Sequence, residues 1–309
     1  MPTRRSTLRF AFEYVVDSNT DGGSLATAEG LATVARAADT LGYSAMALPE
    51  HPAPSHKWLT HGGHETFDPA VALGFVAAVT QRLQIMTHLM VVPYRNPFLA
   101  AKALATLDRL SGGRLVVGVG TGYLSSEFLA LGVDFEERNA LFDEGIEVIR
   151  GVWSTAVYDH DGPRLTARGV AAVPGPLTPG GPPIIVGGNS GLSRRRAARL
   201  GGWSPMLLSE QVAASTRTRP LTSIAQLARG IAEVQRLAAE SGNPGPLLFN
   251  VATPQLEFPS TGGSIEEHRD HVGLLAEAGV DQFLVRPSHL GAEAAVDSLH
   301  AYAEQMGIS

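Results

Sequence analysis

The chain has 309 residues, 44% hydrophobic and 17% charged, with 24 Lys and Arg against 30 Asp and Glu. The formal net charge of -6 argues against a nucleic-acid binder, which needs a basic face to displace counterions. The absence of cysteine excludes disulfides, thiolate nucleophiles and thiolate metal sites. Arg4 and Arg5 are followed by no long apolar run, so neither a secretory leader nor a membrane span is expected, and the expected location is cytoplasmic.

From the N terminus, short apolar runs alternate with longer stretches of helical spacing. A strand is predicted over 9–16 and a helix over 25–41, where Leu31, Val34, Ala35, Ala38 and Leu41 form one stripe before a Gly42 C-cap. Strand 44–49 and helix 69–80 follow, then strand 83–92 and helix 97–110, then strand 115–119 and helix 136–153. Phe142, Ile146, Ile149 and Trp153 make the core-facing stripe of that fourth helix. The second half repeats the pattern with strands 183–187, 203–208, 247–252 and 282–286 and helices 192–200, 223–241, 265–278 and 292–306. Ser264 and Glu267 have capping-box spacing before the seventh helix, and Gly279 lies just past its end.

Strict βα alternation implies parallel strands, because each helix carries the chain back across the sheet. Runs such as Ile184-Ile-Val186 are apolar on both faces, as buried parallel strands are. Eight units close a (β/α)8 TIM barrel, here a single α/β domain over 1–309 with insertions at about 50–67, 155–181 and 209–222. The first and third insertions leave C-terminal strand ends, where barrel active sites are built. The second leaves a helix and reads as a surface excursion or a lid.

Four stretches carry candidate chemistry. Gly118-Val-Gly-Thr-Gly122 suits either close approach of backbone to a flat or anionic ligand or tight packing at a strand end; Tyr123 breaks the dinucleotide fingerprint. Val186-Gly-Gly-Asn-Ser190 runs into a helix, so its backbone N–H groups and the helix N-terminus suit a phosphate. The alternative there is a βα turn with Ser190 or Asn189 as N-cap. Arg194, Arg195 and Arg196 add charge but cannot all face one site. Glu50-His51 ends the second strand, placed for acid–base work or a loop salt bridge. His56, His61, His64 and Glu65 follow, but the intervening Pro and Gly residues prevent one helix from aligning them, and no metal is expected. In the third strand His88 stands among apolar neighbours, where a histidine is usually a hydrogen-bonded packing residue.

Together, residues 41–51, 91–115, 117–128, 131–138 and 182–190 resemble the luciferase-like monooxygenase family, most specifically over 96–138. The resemblance runs from near residue 10 to about 205. It implies a (β/α)8 barrel with a flavin or deazaflavin ring at the C-terminal mouth. It assigns the cofactor phosphate to Gly187, Gly188, Asn189 and Ser190, and the ring and its side chain to Gly120, Thr121, Gly122 and Tyr123. It places a bulge with a non-prolyl cis peptide at Thr87-His88, backing the ring. It gives Glu50 and His51 the place of the acid residue and histidine of deazaflavin relatives, and hence the catalytic role. Two positions depart from the pattern: Leu200-Gly-Gly-Trp203 lacks the relatives' Asp at the start of the sixth strand, and His88 replaces a small residue, where a bulky polar group near the ring alters the bulge or joins the chemistry.

The function implied is hydride transfer between bound coenzyme F420 and a small organic substrate. A reduced-FMN monooxygenase and a non-catalytic flavin-binding protein are the alternatives, and a metal-dependent hydrolase ranks below both. A homodimer is implied, built through the second and third helices. No nucleic-acid or membrane partner is expected.

Overall fold

A computed structural model describes residues 8–19, 21–215, 218–242 and 245–309. The first βα units are β1 (Arg9–Glu13), α1 (Ala28–Leu41) and β2 (Ala45–Leu48), then the short α2 (His56–Thr60) and α3 (Pro69–Val79). Next come β3 (Gln84–Val91), α4 (Pro97–Leu110), β4 (Leu115–Gly120), α5 (Ser125–Ala130) and α6 (Arg138–Ser154). A two-stranded hairpin, β5 (Tyr158–Asp161) with β6 (Thr166–Val170), precedes β7 (Ile184–Gly187). The chain then forms α7 (Gly191–Leu200), β8 (Gly202–Ser204), α8 (Glu210–Ser215), α9 (Ile224–Glu240) and β9 (Leu248–Val251). It ends with α10 (Phe258–Thr261), α11 (Ile265–Glu277), β10 (Gln282–Val285) and α12 (Ala292–Met306).

Apart from the hairpin, the strands pair in parallel and close in the order β1-β10-β9-β8-β7-β4-β3-β2. The predicted eight-stranded barrel is therefore the fold. Its centre is filled by Ala11, Ala45, Ala47, Met86, Val116, Ile185, Ala252 and Leu284, small residues on several strands making room for Met86 and Leu284. Their strand neighbours point outward: Met46 and Leu48 join Leu31, Val34 and Ala38 under the helical layer. The caps are as read. Gly42 ends α1 at φ 88°, and Ser264 accepts from the Glu267 N–H at the start of α11.

Several boundaries differ for identifiable reasons. β1 stops at Glu13, and Val16 instead bridges Glu65 in the first insertion. The 25–41 helix is a 3₁₀ turn over Asp21–Ala26 followed by α1, because Thr27 caps α1 by accepting from Gly30 N–H. β8 begins at Gly202 and ends before Pro205, which has no N–H for a ladder; Met206 regains a single bridge to Ala252. The Gly201-Gly202 pair answers the missing Asp. Gly202 has φ 156°, and a Cβ there would overlap the Leu248 carbonyl of β9.

The 155–181 segment is the hairpin and its return, seated on the outside of the barrel. Lys102 and Arg109 of α4 donate to the carbonyls of Val173 and Gly175, and Asp108 accepts from Thr178 N–H and Oγ1–H. None of its residues lines the cavity described next, so it forms a surface excursion and not a lid over it. Among the described residues, no helix is long and apolar enough to cross a membrane.

Candidate active site

At the C-terminal mouth, β3, β4, β7 and β8 surround a cavity of about 540 Å³. Nine of the ten expected cofactor residues line it: His88, Gly120, Thr121, Gly122, Tyr123, Gly187, Gly188, Asn189 and Ser190. Thr87 does not. Its hydroxyl is buried and donates to the Gly118 carbonyl at 2.7 Å, tying β3 to β4 where the register slips.

That slip is the expected bulge. Thr87 pairs with Val117, but the next matched residue on β3 is Met90, opposite Val119. The cis peptide lies between His88 and Leu89, one bond beyond the Thr87-His88 position inferred from the family pattern. Leu89 lines the cavity and packs over the glycines. A Cβ on Gly187 would overlap its Cδ1, and one on Gly120 would come within 3.3 Å of it. At Gly120 and Gly187, tight packing therefore accounts for the missing side chain. Gly122 is a turn at φ 80° wedged against Phe128 and Val91.

The β7–α7 turn is different. Gly188 has φ 92°, and a Cβ there would meet only Ser193, at 3.0 Å from its Oγ. Ser190 is the N-cap, accepting from Ser193 N–H at 3.0 Å. The Asn189 side chain is committed to the backbone: its amide donates to the Met206 and Arg219 carbonyls, and its oxygen accepts from Met206 N–H. Asn189 thus ties Met206 and Arg219 beside the turn. The first N–H groups of the ten-residue α7 have no helical partners of their own, and the helix dipole favours an anion beside them. Cationic side chains arrive from elsewhere than expected. Arg194 pairs with Glu233, and Arg196 with Asp143 under Phe142. Arg138, stacked on Phe135, and Arg219 line the cavity instead.

Glu50 and His51 separate, as neighbours on an extended chain do. The buried Glu50 accepts from Val91 N–H at 2.6 Å and pairs with Arg95, clamping the exit of β3. His51 faces Glu127, with Nδ1 at 3.3 Å from Oε2. Glu127 is buried and also accepts from Tyr94 O–H at 2.8 Å and Ala53 N–H at 3.2 Å. His51 further contacts the rings of Trp58, His64 and Tyr123, the last at 6.0 Å and on the cavity wall. Burial pushes the Tyr123 hydroxyl up to about 12, with the Glu127 charge adding to the effect, so it stays protonated. Burial pushes His64 down to about 4 against the pull of Glu13, so it stays neutral. His56 opens α2 and His61 is its C-cap, and among the described residues no cluster of His, Asp or Glu could hold a metal.

A profile of the family described as luciferase-like monooxygenase matches residues 10–246. The chain belongs to this family. An uncharacterised protein of Mycobacterium tuberculosis is 31% identical over 233 residues, 71% of this chain and 74% of that one. The FMNH2-dependent dimethylsulfone monooxygenase of Pseudomonas putida is 33% identical over 129 residues, 41% of this chain and 35% of that one. Among solved structures, the monooxygenase RslO1 of Streptomyces bottropensis superposes with a TM-score of 0.77 at 20% identity, covering 97% of this chain and 98% of that one. The coenzyme F420-dependent tetrahydromethanopterin reductase of Methanopyrus kandleri gives 0.70 at 14% identity, covering 98% and 99%.

Several participants escaped the sequence reading, among them Leu89, Ser204 and Arg219 of the cavity lining. Glu127 and Arg138 lie inside the stretches that resemble the family, so a charged residue there was a usable signal. Glu13 and Arg286 end or follow barrel strands one and eight, a position that reads as functional in this fold.

Proposed function

We propose that the protein is an oxidoreductase that moves a hydride between bound coenzyme F420 and a small organic substrate. The observation that carries this reading is the β7–α7 turn. Gly188 leaves backbone exposed at a helix N-terminus, inside a cavity floored by Leu89 and flanked by Arg138 and Arg219. Those residues fit a flat ring with a phosphorylated side chain. The bound cofactor supplies the redox chemistry; the chain positions it, excludes water and handles protons.

In this reading the α7 N-terminus holds the phosphate, Gly120 to Tyr123 border the ring, and His51 is the proton-handling group, oriented by Glu127. The deazaflavin is preferred because the Glu50-His51 doublet resembles that of deazaflavin relatives. A second reading, a monooxygenase using reduced FMN, is favoured by the 33% identity to the dimethylsulfone enzyme. Titrating the apoprotein with F420 and with FMN separates the two. Tight binding of FMN alone would replace the first reading by the second, and binding of neither would remove both.

We also propose a homodimer through α3 and α4. Val71 and Leu99 are 75% and 70% exposed there, large apolar side chains a lone barrel leaves in water. Sedimentation at micromolar concentration should show a dimer, and Val71→Asp with Leu99→Asp a monomer.

A further inference from the structure

The sequence reads His88 as a packing or ring-backing residue, or as one that alters the bulge or joins the chemistry. Its surroundings are those of an acid–base group. Nδ1 lies 3.1 Å from Glu13 Oε1 and Nε2 lies 3.2 Å from Ser204 Oγ. Both His88 and Ser204 line the cavity, and all three residues are buried. Arg286 donates to Glu13 through Nε at 3.2 Å and through a second nitrogen, and also pairs with Glu257. Asn250 donates from Nδ2 to Ser204 Oγ at 2.9 Å.

We propose that Ser204, His88 and Glu13 form a proton relay whose outer end, the Ser204 hydroxyl, serves the molecule seated in the cavity. The hydrogen-bond directions follow from the inner end. An ionised carboxylate only accepts, so the His88 proton sits on Nδ1. Nε2 is then an acceptor, and Ser204 O–H donates to it. The Ser204 oxygen, its hydrogen committed to Nε2, accepts from the Asn250 amide and has a second lone pair for one further donor. That further donor is a hydroxyl or amino hydrogen of the bound molecule.

When such a group gives up its proton, its X–H bond breaks and a new O–H bond forms on Ser204. The original Ser204 proton moves to His88 Nε2. Charge is conserved, and the imidazolium forms beside the Glu13 carboxylate. The reverse sequence donates a proton. The charged and titratable groups around the relay are Glu13 of β1, Arg286 after β10, Glu257 of the turn before α10 and His64 of the first insertion. The relay requires the cavity, but not a particular cofactor.

The test needs neither substrate nor cofactor. In 15N spectra of the apoprotein at pH 8, His88 should carry its proton on Nδ1 alone. Diisopropyl fluorophosphate, followed by mass spectrometry, should phosphorylate Ser204 faster than any other serine. In that reaction the Oγ–P bond forms, P–F breaks, fluoride leaves, and the hydroxyl proton passes to His88. Ser204→Ala should abolish the label. His88→Asn should slow it by about 100-fold and remove its pH dependence. A proton on Nε2 in the wild type, no label on Ser204, or equal rates in wild type and a folded His88→Asn would each overturn the relay; the spectrum alone decides if the variants fail to fold. Saturating F420 or FMN should protect Ser204. Labelling that follows the relay pattern without protection would support the relay and count against the cofactor assignment.

Discussion

The His51 imidazole meets the Glu127 carboxylate at 3.3 Å, although 76 residues separate them in the chain. Glu127 is held from two other sides by Tyr94 and Ala53, so it is the fixed partner and His51 the guided one. His51→Asn should therefore lower turnover by roughly 100-fold with cofactor affinity retained. Glu127→Gln, which keeps the shape and loses the charge, should lower it by about 10-fold. Steady-state rates alongside cofactor titrations check both. Loss of affinity alone for His51→Asn would make it a packing residue of the ring wall.

Gly188→Val tests the anion cradle. The new side chain would project toward Ser193 from a backbone at φ 92°, a region costing a residue with a Cβ about 1–2 kcal/mol. That loss is tolerable for a barrel of this size. Cofactor affinity should fall by roughly 10-fold or more, because the cradle depends on exposed backbone. Unchanged affinity in a folded variant would remove the cradle.

Glu50 should behave oppositely. It is buried between the Val91 N–H and Arg95, whereas His51, also outside the cavity lining, touches the wall through Tyr123. Glu50→Gln should destabilise the fold by about 2–4 kcal/mol in denaturant titration, since it weakens a buried ion pair and leaves Arg95 unbalanced. Cofactor affinity in the folded fraction should stay within about twofold. Unaltered stability with lost turnover would return Glu50 to the chemistry.

Acid should weaken the protein in two stages. Burial pushes His64 and His268 down to about 4, so the folded state refuses protons that the unfolded chain takes near 6.5. Stability contributed by these histidines is whole above pH 6.5 and drains as pH falls to about 4. Burial alone would raise Glu13, but Arg286 and the His88 hydrogen bond outweigh it and hold the carboxyl well below the usual range. Its contribution is therefore lost only as pH falls below its ordinary 4.5. Urea midpoints from pH 8 to 3 should show both declines, the upper one shallower in His268→Gln.

The barrel was legible because burial on both faces makes parallel strands apolar throughout, as in Ile184-Ile-Val186. The hairpin was not. Its strands, Tyr-Asp-His-Asp and Thr-Ala-Arg-Gly-Val, bury almost nothing and carry no hydrophobic period. At the site, local glycine and serine patterns located the cavity wall. Partners were another matter: His88 meets residues 75 and 116 positions away, and no local spacing encodes such a pairing. Gly187 shows a subtler limit. Its missing side chain signals close approach, but the approaching body is Leu89 from the next strand but one.

That interlock has a consequence for variation at the site. Leu89 is seated in a socket made by glycines 118, 120 and 187, contributed by two different strands. A larger residue at 120 or 187 would push the leucine up into the cavity, and one at 118 would first overlap the Thr87 carbonyl; a smaller residue at 89 would sink the floor while leaving Gly188 and the α7 terminus untouched. Depth and anion recognition are thus set by separate parts. A change at 89, or at glycine 120 or 187, alters the thickness of ligand the cavity accepts without rebuilding the Gly188 turn.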